Sequence, residues 1–219
     1  YKAIDWTGGS TAFKTYNSEP GNSMIWEGWE QIFPDDLYSW DPLAQLRKSV
    51  IYDSDEIFED RIDTLINLEA AAEYYLFINL ILAHDNIIKN YFLAKYADDS
   101  SFLILPWDLE GSWGIMWDGD HSSSNGLVEN GLFKRLMELD VEDFNDMLEN
   151  KWVQYRESIF TQDSLTAPFI RDANHLKSSG ALERENSRWP GVEIDMDGEL
   201  EYFLQWTSLR LSYLDQVFD

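Results

Sequence analysis

The chain has 219 residues, of which 44% are hydrophobic, so it is long and apolar enough to bury a substantial core. Its 41 acidic and 16 basic residues give a formal net charge of -25, which repels nucleic acid and anionic membranes and attracts divalent cations. The absence of cysteine excludes disulfides, thiolate metal sites and a cysteine nucleophile. An anionic substrate such as a nucleotide would therefore have to arrive with a metal ion. No composition shift marks a boundary, and we predict one domain over residues 1–219.

The first forty residues are rich in aromatic residues and glycine, and the dipeptides Gly8-Gly9, Pro20-Gly21 and Pro34-Asp35 are turn signals. This composition predicts short strands and loops. Because the opening "YKAIDW" reads as a strand already under way, we expect a further part of the protein upstream of Tyr1. No apolar run reaches the roughly 20 residues needed to cross a bilayer, so we predict no membrane insertion.

Helical patterns begin at Asp41. "DPLAQLRKSV" predicts a helix with Asp41 as N-cap and Pro42 at its first position, and Ser54 precedes the apolar periodicity of "DEIFEDRIDTLI". Asn67 is the predicted N-cap of "LEAAAEYYLFINLILA", which is apolar almost all round and is expected in the middle of the domain. Four more helices are predicted, at 127–139, 141–160, 163–179 and 197–218. We expect "SSGALERENSRWPG" to be an exposed connection.

Two runs typical of β-strands, "YFLAKYA" and "SFLILPW", flank Asp98-Asp99-Ser100 and predict a β-hairpin. If the hairpin turns at Asp98-Asp99, Asn90 lies opposite Trp107 and beside Asp108, on strands about 4.8 Å apart. The loop "HDNIIKN" enters the first strand and carries Asp85. The side chains of Asp85, Asn90 and Asp108 are thus expected close to one another, and their oxygen atoms suit Mg²⁺, Mn²⁺ or Ca²⁺ as ligands.

The spacing of these residues is the one found in protein kinases. There a catalytic-loop Asp is followed, after four intervening residues, by an Asn, and a second Asp follows a hairpin. Asp85, Asn90 and Asp108 have this arrangement. The Arg that usually precedes the catalytic Asp is missing, and "WDLEG" stands in place of Asp-Phe-Gly.

The pair of segments "HDNIIKNYFLAKY" and "FLILPWDLEGSWG" resembles the spore coat protein H (CotH) kinases, an atypical protein-kinase-like family. The resemblance implies an α+β, mainly helical fold: the C-terminal lobe of an atypical kinase, with a small β-hairpin that carries the metal site. The N-terminal lobe of the family would precede Tyr1. Glu110 stands where the family usually has Asp, which places a longer side chain at an expected metal position.

The resemblance also implies the chemistry. It identifies Asp85 as the catalytic base, Asn90 and Trp107 as nucleotide-binding residues, and Asn90, Asp108 and Glu110 as metal-binding residues. The expected cofactors are ATP and Mg²⁺, or Mn²⁺ or Ca²⁺, and the expected partner is a secreted, cell-surface or spore-surface protein phosphorylated on Ser or Thr. We expect transfer from the full-length protein and not from residues 1–219 alone.

These functional assignments also have structural alternatives. For Trp107 we favour packing in the core or the hairpin over stacking against adenine, and Asp85 with Asn90 alone would be typical of a helix end. "DGDHSSSNG" at 118–126 has alternating oxygen ligands, but it lacks the central Gly of an EF-hand and is interpreted as a loop. The alternative function is a noncatalytic adhesion or glycan-associated module, suggested by Glu110 and by ten tryptophans. Most of these are expected to pack in the core, namely Trp26, Trp29, Trp40, Trp152 and Trp206.

Overall fold

A computed structural model describes residues 1–192 and 194–218. The described residues form an α+β structure in which helices predominate, as the sequence predicted. They divide into two compact units. The first comprises Tyr1–His121 with Leu127–Lys151, and the second comprises Ser122–Gly126 with the residues from Trp152 onward. The one-domain interpretation stays a prediction. None of the described helices is both long and apolar enough to cross a membrane.

The first unit contains one antiparallel sheet of five short strands in the order β2-β3-β1-β4-β5. The strands are β1 (Lys2–Ala3), β2 (Ile25–Trp26), β3 (Trp29–Glu30), β4 (Tyr91–Ala94) and β5 (Leu103–Pro106). β2 and β3 form a tight hairpin in which Trp26 pairs with Trp29. Both turn residues, Glu27 and Gly28, have positive φ, which matches the right-handed twist of the strands. A Cβ added to Gly28 would lie 2.3 Å from the Asp5 side chain, so only glycine fits there.

The helices of the first unit are α1 (Asp41–Tyr52), α2 (Asp55–Leu65), α3 (Leu68–Ile81), α4 (Gly131–Leu139) and the start of α5 (Phe144–Arg156). α3 is the central helix, since ten of its 14 residues are buried. Asn67 caps it by accepting a 2.8 Å hydrogen bond from the Ala70 N–H. Asn79 is fully buried in this helix and exchanges hydrogen bonds with the main chain of Val128.

The starts of α1 and α4 differ from prediction. Trp40, and not Asp41, is the N-cap residue of α1, and it makes no side-chain cap bond. Pro42 falls at the second helical position, which it tolerates because N–H groups of the first turn have no helical acceptor. α4 begins only at Gly131, because the Asn130 side chain caps the N–H groups of Leu132 and Phe133.

The second unit contains the end of α5 and three further helices, α6 (Gln162–Ser178), α7 (Ala181–Arg188) and α8 (Met196–Phe218). Asp215 on α8 accepts hydrogen bonds from Trp152 Nε1 at 3.1 Å and from Arg156 Nε at 2.7 Å. α7 lies inside the segment predicted as a connection. It has no buried residue, so no apolar stripe signalled it.

Tryptophan packing follows the prediction. All five tryptophans expected in the core are at most 5% exposed. The ring of Trp26 also contacts the guanidinium of Arg47, which is fully buried and lies 4.3 Å from the ring centroid. Arg47 forms a 2.7 Å ion pair with Glu27, which joins α1 to the β2–β3 turn.

Candidate functional site

The β4–β5 hairpin has the predicted register. Tyr91 pairs with Pro106 and Phe92 with Leu105, so the hairpin turns about Asp98-Asp99. One step beyond the last paired residues, the Trp107 N–H donates a 2.9 Å hydrogen bond to the Asn90 carbonyl. We call Asn90 and Trp107 the hairpin base. Asp108 is therefore the first residue after this pair.

Asn90 and Asp108 share an unusual backbone conformation, since each has a φ of 56°. Asn and Asp are the non-glycine residues that adopt this left-handed region most readily. A left-handed residue interrupts the alternation of side chains along a strand, so both strands stop at the hairpin base. Backbone in such sparsely populated regions is frequent at binding and catalytic sites. The sequence analysis did not predict this feature.

Asn86 holds the hairpin base together, and the sequence analysis did not identify it. Its side chain is buried, and its amide nitrogen donates to the Asn90 carbonyl at 2.8 Å and to the Trp107 carbonyl at 2.7 Å. One amide therefore ties the entrance of β4 to the exit of β5. The signal available in the sequence was an amide between Asp85 and the apolar pair Ile87-Ile88.

Two further hydrogen bonds fix the loop 85–90. The Tyr74 hydroxyl on α3 donates to the Asn86 carbonyl at 2.6 Å, and the Asn130 side chain donates to the Ile87 carbonyl at 3.1 Å. Burial raises the pKa of Tyr74 far above its ordinary value, so its hydroxyl keeps its proton and remains a donor. The loop is thus attached to α3 and to the α4 N-cap.

Asp85 opens a 3-10 turn, Asp85–Ile87, at the start of this loop. Its carboxylate Oδ2 lies 3.0 Å from Nζ of Lys89, and both side chains are about one-third exposed. The Lys89 N–H also donates a 2.7 Å hydrogen bond to the Asp85 carbonyl. Lys89 was not among the predicted site residues, although it lies inside "HDNIIKN".

Trp107 is half-exposed, with 51% of its surface accessible. Its ring meets Phe92 edge-to-face at a centroid distance of 6.0 Å, and Nζ of Lys2 lies 5.3 Å from the ring centroid. Trp107 therefore packs against a neighbouring residue of the hairpin, Phe92.

The predicted metal ligands fit a cation that takes only part of its coordination from protein. Asp108 and Glu110 are exposed, and Asn90 is partly exposed. No group of three or more His, Asp or Glu side chains in the described ranges is arranged to enclose a metal ion. Mg²⁺ commonly binds one or two carboxylates and completes its shell with water and substrate phosphates. Asn90 and Asp108 provide oxygens of that kind, and the metal-site assignment stays a prediction.

The segment 118–126 was interpreted as a loop, and no helix or strand falls within it. Its first part is tied to the preceding turn, because the Met116 N–H donates to the Asp120 carbonyl at 2.8 Å and Ile115 bridges to His121.

Comparison with known proteins supplies the identity of the fold. Curated protein sequences give no significant match to the chain. A sequence model of the family described as CotH kinase protein matches residues 13–214, which is nearly the whole chain and includes both motifs of the hairpin. The chain therefore belongs to the CotH kinase family.

Proposed function

We propose that this chain carries the phosphoryl-transfer loop of a CotH-type kinase that transfers the γ-phosphoryl group of ATP to Ser or Thr hydroxyls of a secreted or surface protein. The observation that supports the proposal most is the hairpin base. There Asp108 directly follows the residue that is hydrogen-bonded to Asn90, and Asp85 lies on the loop that the Asn86 amide anchors, in a chain that belongs to a family of kinases.

In the proposed reaction the substrate hydroxyl oxygen attacks the γ-phosphorus, and the bond to the β–γ bridging oxygen breaks. ADP leaves and the phosphoester forms. Asp85 orients the attacking hydroxyl and accepts its proton. The Asp85 carboxylate lies 3.0 Å from Nζ of Lys89, and this ion pair holds the carboxylate in one orientation on the loop.

Asn90 and Asp108 would hold Mg²⁺, or Mn²⁺ or Ca²⁺, against the phosphates. A divalent ion in this position neutralises phosphate charge, which a chain of net charge -25 otherwise repels. Glu110 would assist directly or through water. Trp107 offers its exposed ring face to the nucleotide.

The proposal is tested with the full-length protein, γ-labelled ATP and a library of Ser- and Thr-containing peptides, in the presence of Mg²⁺ or Mn²⁺. Asp85→Asn and Asp108→Asn should each reduce labelling by about 10²-fold or more. Asp99→Asn, at the exposed tip of the same hairpin, should not. Undiminished labelling in both site variants would contradict the assignment.

The noncatalytic adhesion or glycan-associated module is the alternative. The five buried tryptophans remove half of the aromatic residues that suggested it. A folded full-length protein that binds no nucleotide and labels no peptide would favour this alternative.

A further inference from the structure

The second unit contains an open groove between α6 and α8, separate from the loop 85–90. The groove has a volume of about 250 Å³. On the α6 side it is lined by Phe169, Ala173 and Leu176, which recur at the spacing of one helical face. Phe169 and Leu176 remain more than 40% exposed, so this apolar stripe is only partly covered.

α8 lines the opposite side with the same periodicity. Met196, Leu200 and Phe203 supply the apolar surface, and the Phe203 ring lies 4.5 Å from the Phe169 ring across the groove, measured between centroids. Each stripe covers two helical turns, a length of about 10 Å at 1.5 Å per residue. These dimensions match two turns of a partner helix that inserts apolar side chains between α6 and α8.

Each helix also places one carboxylate in the groove lining, Asp172 on α6 and Glu199 on α8. Two cations on α6 already have anionic partners: Arg171 pairs with Asp172 at 2.9 Å, and Lys177 pairs with Asp197. Arg171 is mostly exposed, so its pair with Asp172 is weak and an incoming cation can replace it at small cost. An apolar groove that carries acidic groups is complementary to a segment that is both apolar and basic.

We infer that the α6–α8 groove binds an amphipathic helical segment of a partner protein, with apolar anchors in the groove and Lys or Arg side chains beside Asp172 and Glu199. This partner site is independent of phosphoryl transfer. It would bring a basic protein to the chain, and the overall charge of -25 would accelerate the encounter.

The test measures binding of three labelled 14-residue peptides to the 219-residue chain by fluorescence anisotropy. The first, the Leu/Lys peptide, has leucines at helical spacing with lysines between them. The second, the Ser/Lys peptide, replaces the leucines with serine. The third, the Leu/Glu peptide, replaces the lysines with glutamate. We expect the first peptide alone to bind wild-type protein tightly, because only it satisfies both the apolar stripe and the carboxylates.

Matched charge variants distinguish binding of the peptide in the groove from general attraction to an acidic protein. Asp172→Lys with Glu199→Lys should weaken the Leu/Lys peptide about tenfold and strengthen the Leu/Glu peptide. Asp163→Lys with Glu201→Lys makes the same change of charge on the same two helices, at exposed residues that do not line the groove. This control should leave both affinities within about twofold of wild type at 150 mM salt.

A second pair of variants tests the apolar contact. Leu176→Gln should weaken the Leu/Lys peptide about fivefold, whereas Leu209→Gln, exposed on α8 outside the groove, should not. Thermal unfolding of every variant verifies that the helices are intact. Equal effects of groove and control variants, tight binding of the Ser/Lys peptide, or no binding of the Leu/Lys peptide would each overturn the inference.

Discussion

The Trp107 N–H donates to the Asn90 carbonyl over 2.9 Å and closes the β4–β5 hairpin next to Asp108. The Asn86 amide donates to the carbonyls of both residues. The relative position of Asn90 and Asp108 therefore depends on a buried side chain that itself has no assigned part in the chemistry. A small displacement of this pair would separate the oxygens that the proposed reaction requires close together.

Asn86→Leu should lower the free energy of unfolding by about 1–3 kcal/mol, because the carbonyls of Asn90 and Trp107 each lose a hydrogen bond from the Asn86 amide. Labelling of peptides by the full-length protein should fall as well, since the hairpin base is no longer fixed. Urea unfolding and the labelling assay measure the two effects. The control is Asn174→Leu, an exposed position on α6. An Asn86→Leu protein as stable and active as wild type would show that the amide does not position the site.

Metal binding gives a second prediction, which needs no nucleotide. Millimolar Mg²⁺ or Ca²⁺ should raise the thermal midpoint of the 219-residue chain, because a cation relieves repulsion among carboxylates. Asp108→Asn should lose most of this metal-induced rise in thermal midpoint, and Asp99→Asn should retain it. Equal increments in wild type and Asp108→Asn would show that the cations bind diffusely to the acidic surface.

Lys89 provides a third prediction. Lys89→Met removes the partner of the Asp85 carboxylate, and we expect kcat for peptide labelling to fall about tenfold with little change in KM for ATP. Stability should change by about 0.5 kcal/mol or less, because the pair is partly exposed. Lys134→Met, which removes a surface pair with Glu138, is the control. A Lys89→Met enzyme with wild-type kcat would exclude a role for the ion pair in orienting Asp85.

The Arg47–Glu27 pair gives a prediction for stability. Glu27→Gln should lower the free energy of unfolding by about 3 kcal/mol, because it leaves the fully buried guanidinium without its anion. Urea unfolding at pH 7 measures the change. Glu19→Gln, which breaks the exposed pair with Lys48, should have little effect and is the matched control. If Glu27→Gln and Glu19→Gln lower the free energy of unfolding equally, the burial of Arg47 does not determine how much its ion pair contributes to stability.

The same pair has a pH dependence whose sign follows from Glu27. Its partial burial acts to raise its pKa, but hydrogen bonds from Arg47 and Ser18 outweigh that effect and hold the pKa below its ordinary value of 4.5. A depressed carboxyl pKa contributes stability that is complete above the unfolded value and is lost as pH falls through the folded value. Wild type should therefore lose stability below about pH 4.5 more steeply than Glu27→Gln in urea titrations.

The sequence by itself determined the hairpin and its register. A turn at Asp98-Asp99 predicted the pairing, and in the folded chain this pairing keeps Tyr91, Leu93 and Ile104 on the buried face, where a slip of one residue would turn these side chains to solvent. The apolar circumference of α3 likewise predicted its central position, and the resemblance carried by "HDNIIKNYFLAKY" and "FLILPWDLEGSWG" predicted the family.

Only the tertiary structure decided how the site is held. The Asn86 side chain donates to two carbonyls on different segments, and no local periodicity predicts such a contact. The left-handed backbone at Asn90 and Asp108 likewise produced no hydrophobic pattern in the sequence. Helix α7 was missed because it buries nothing, and the start of α4 depended on the Asn130 cap. Local patterns record which residues face a core, whereas buried polar contacts between distant segments arise only once the chain has folded.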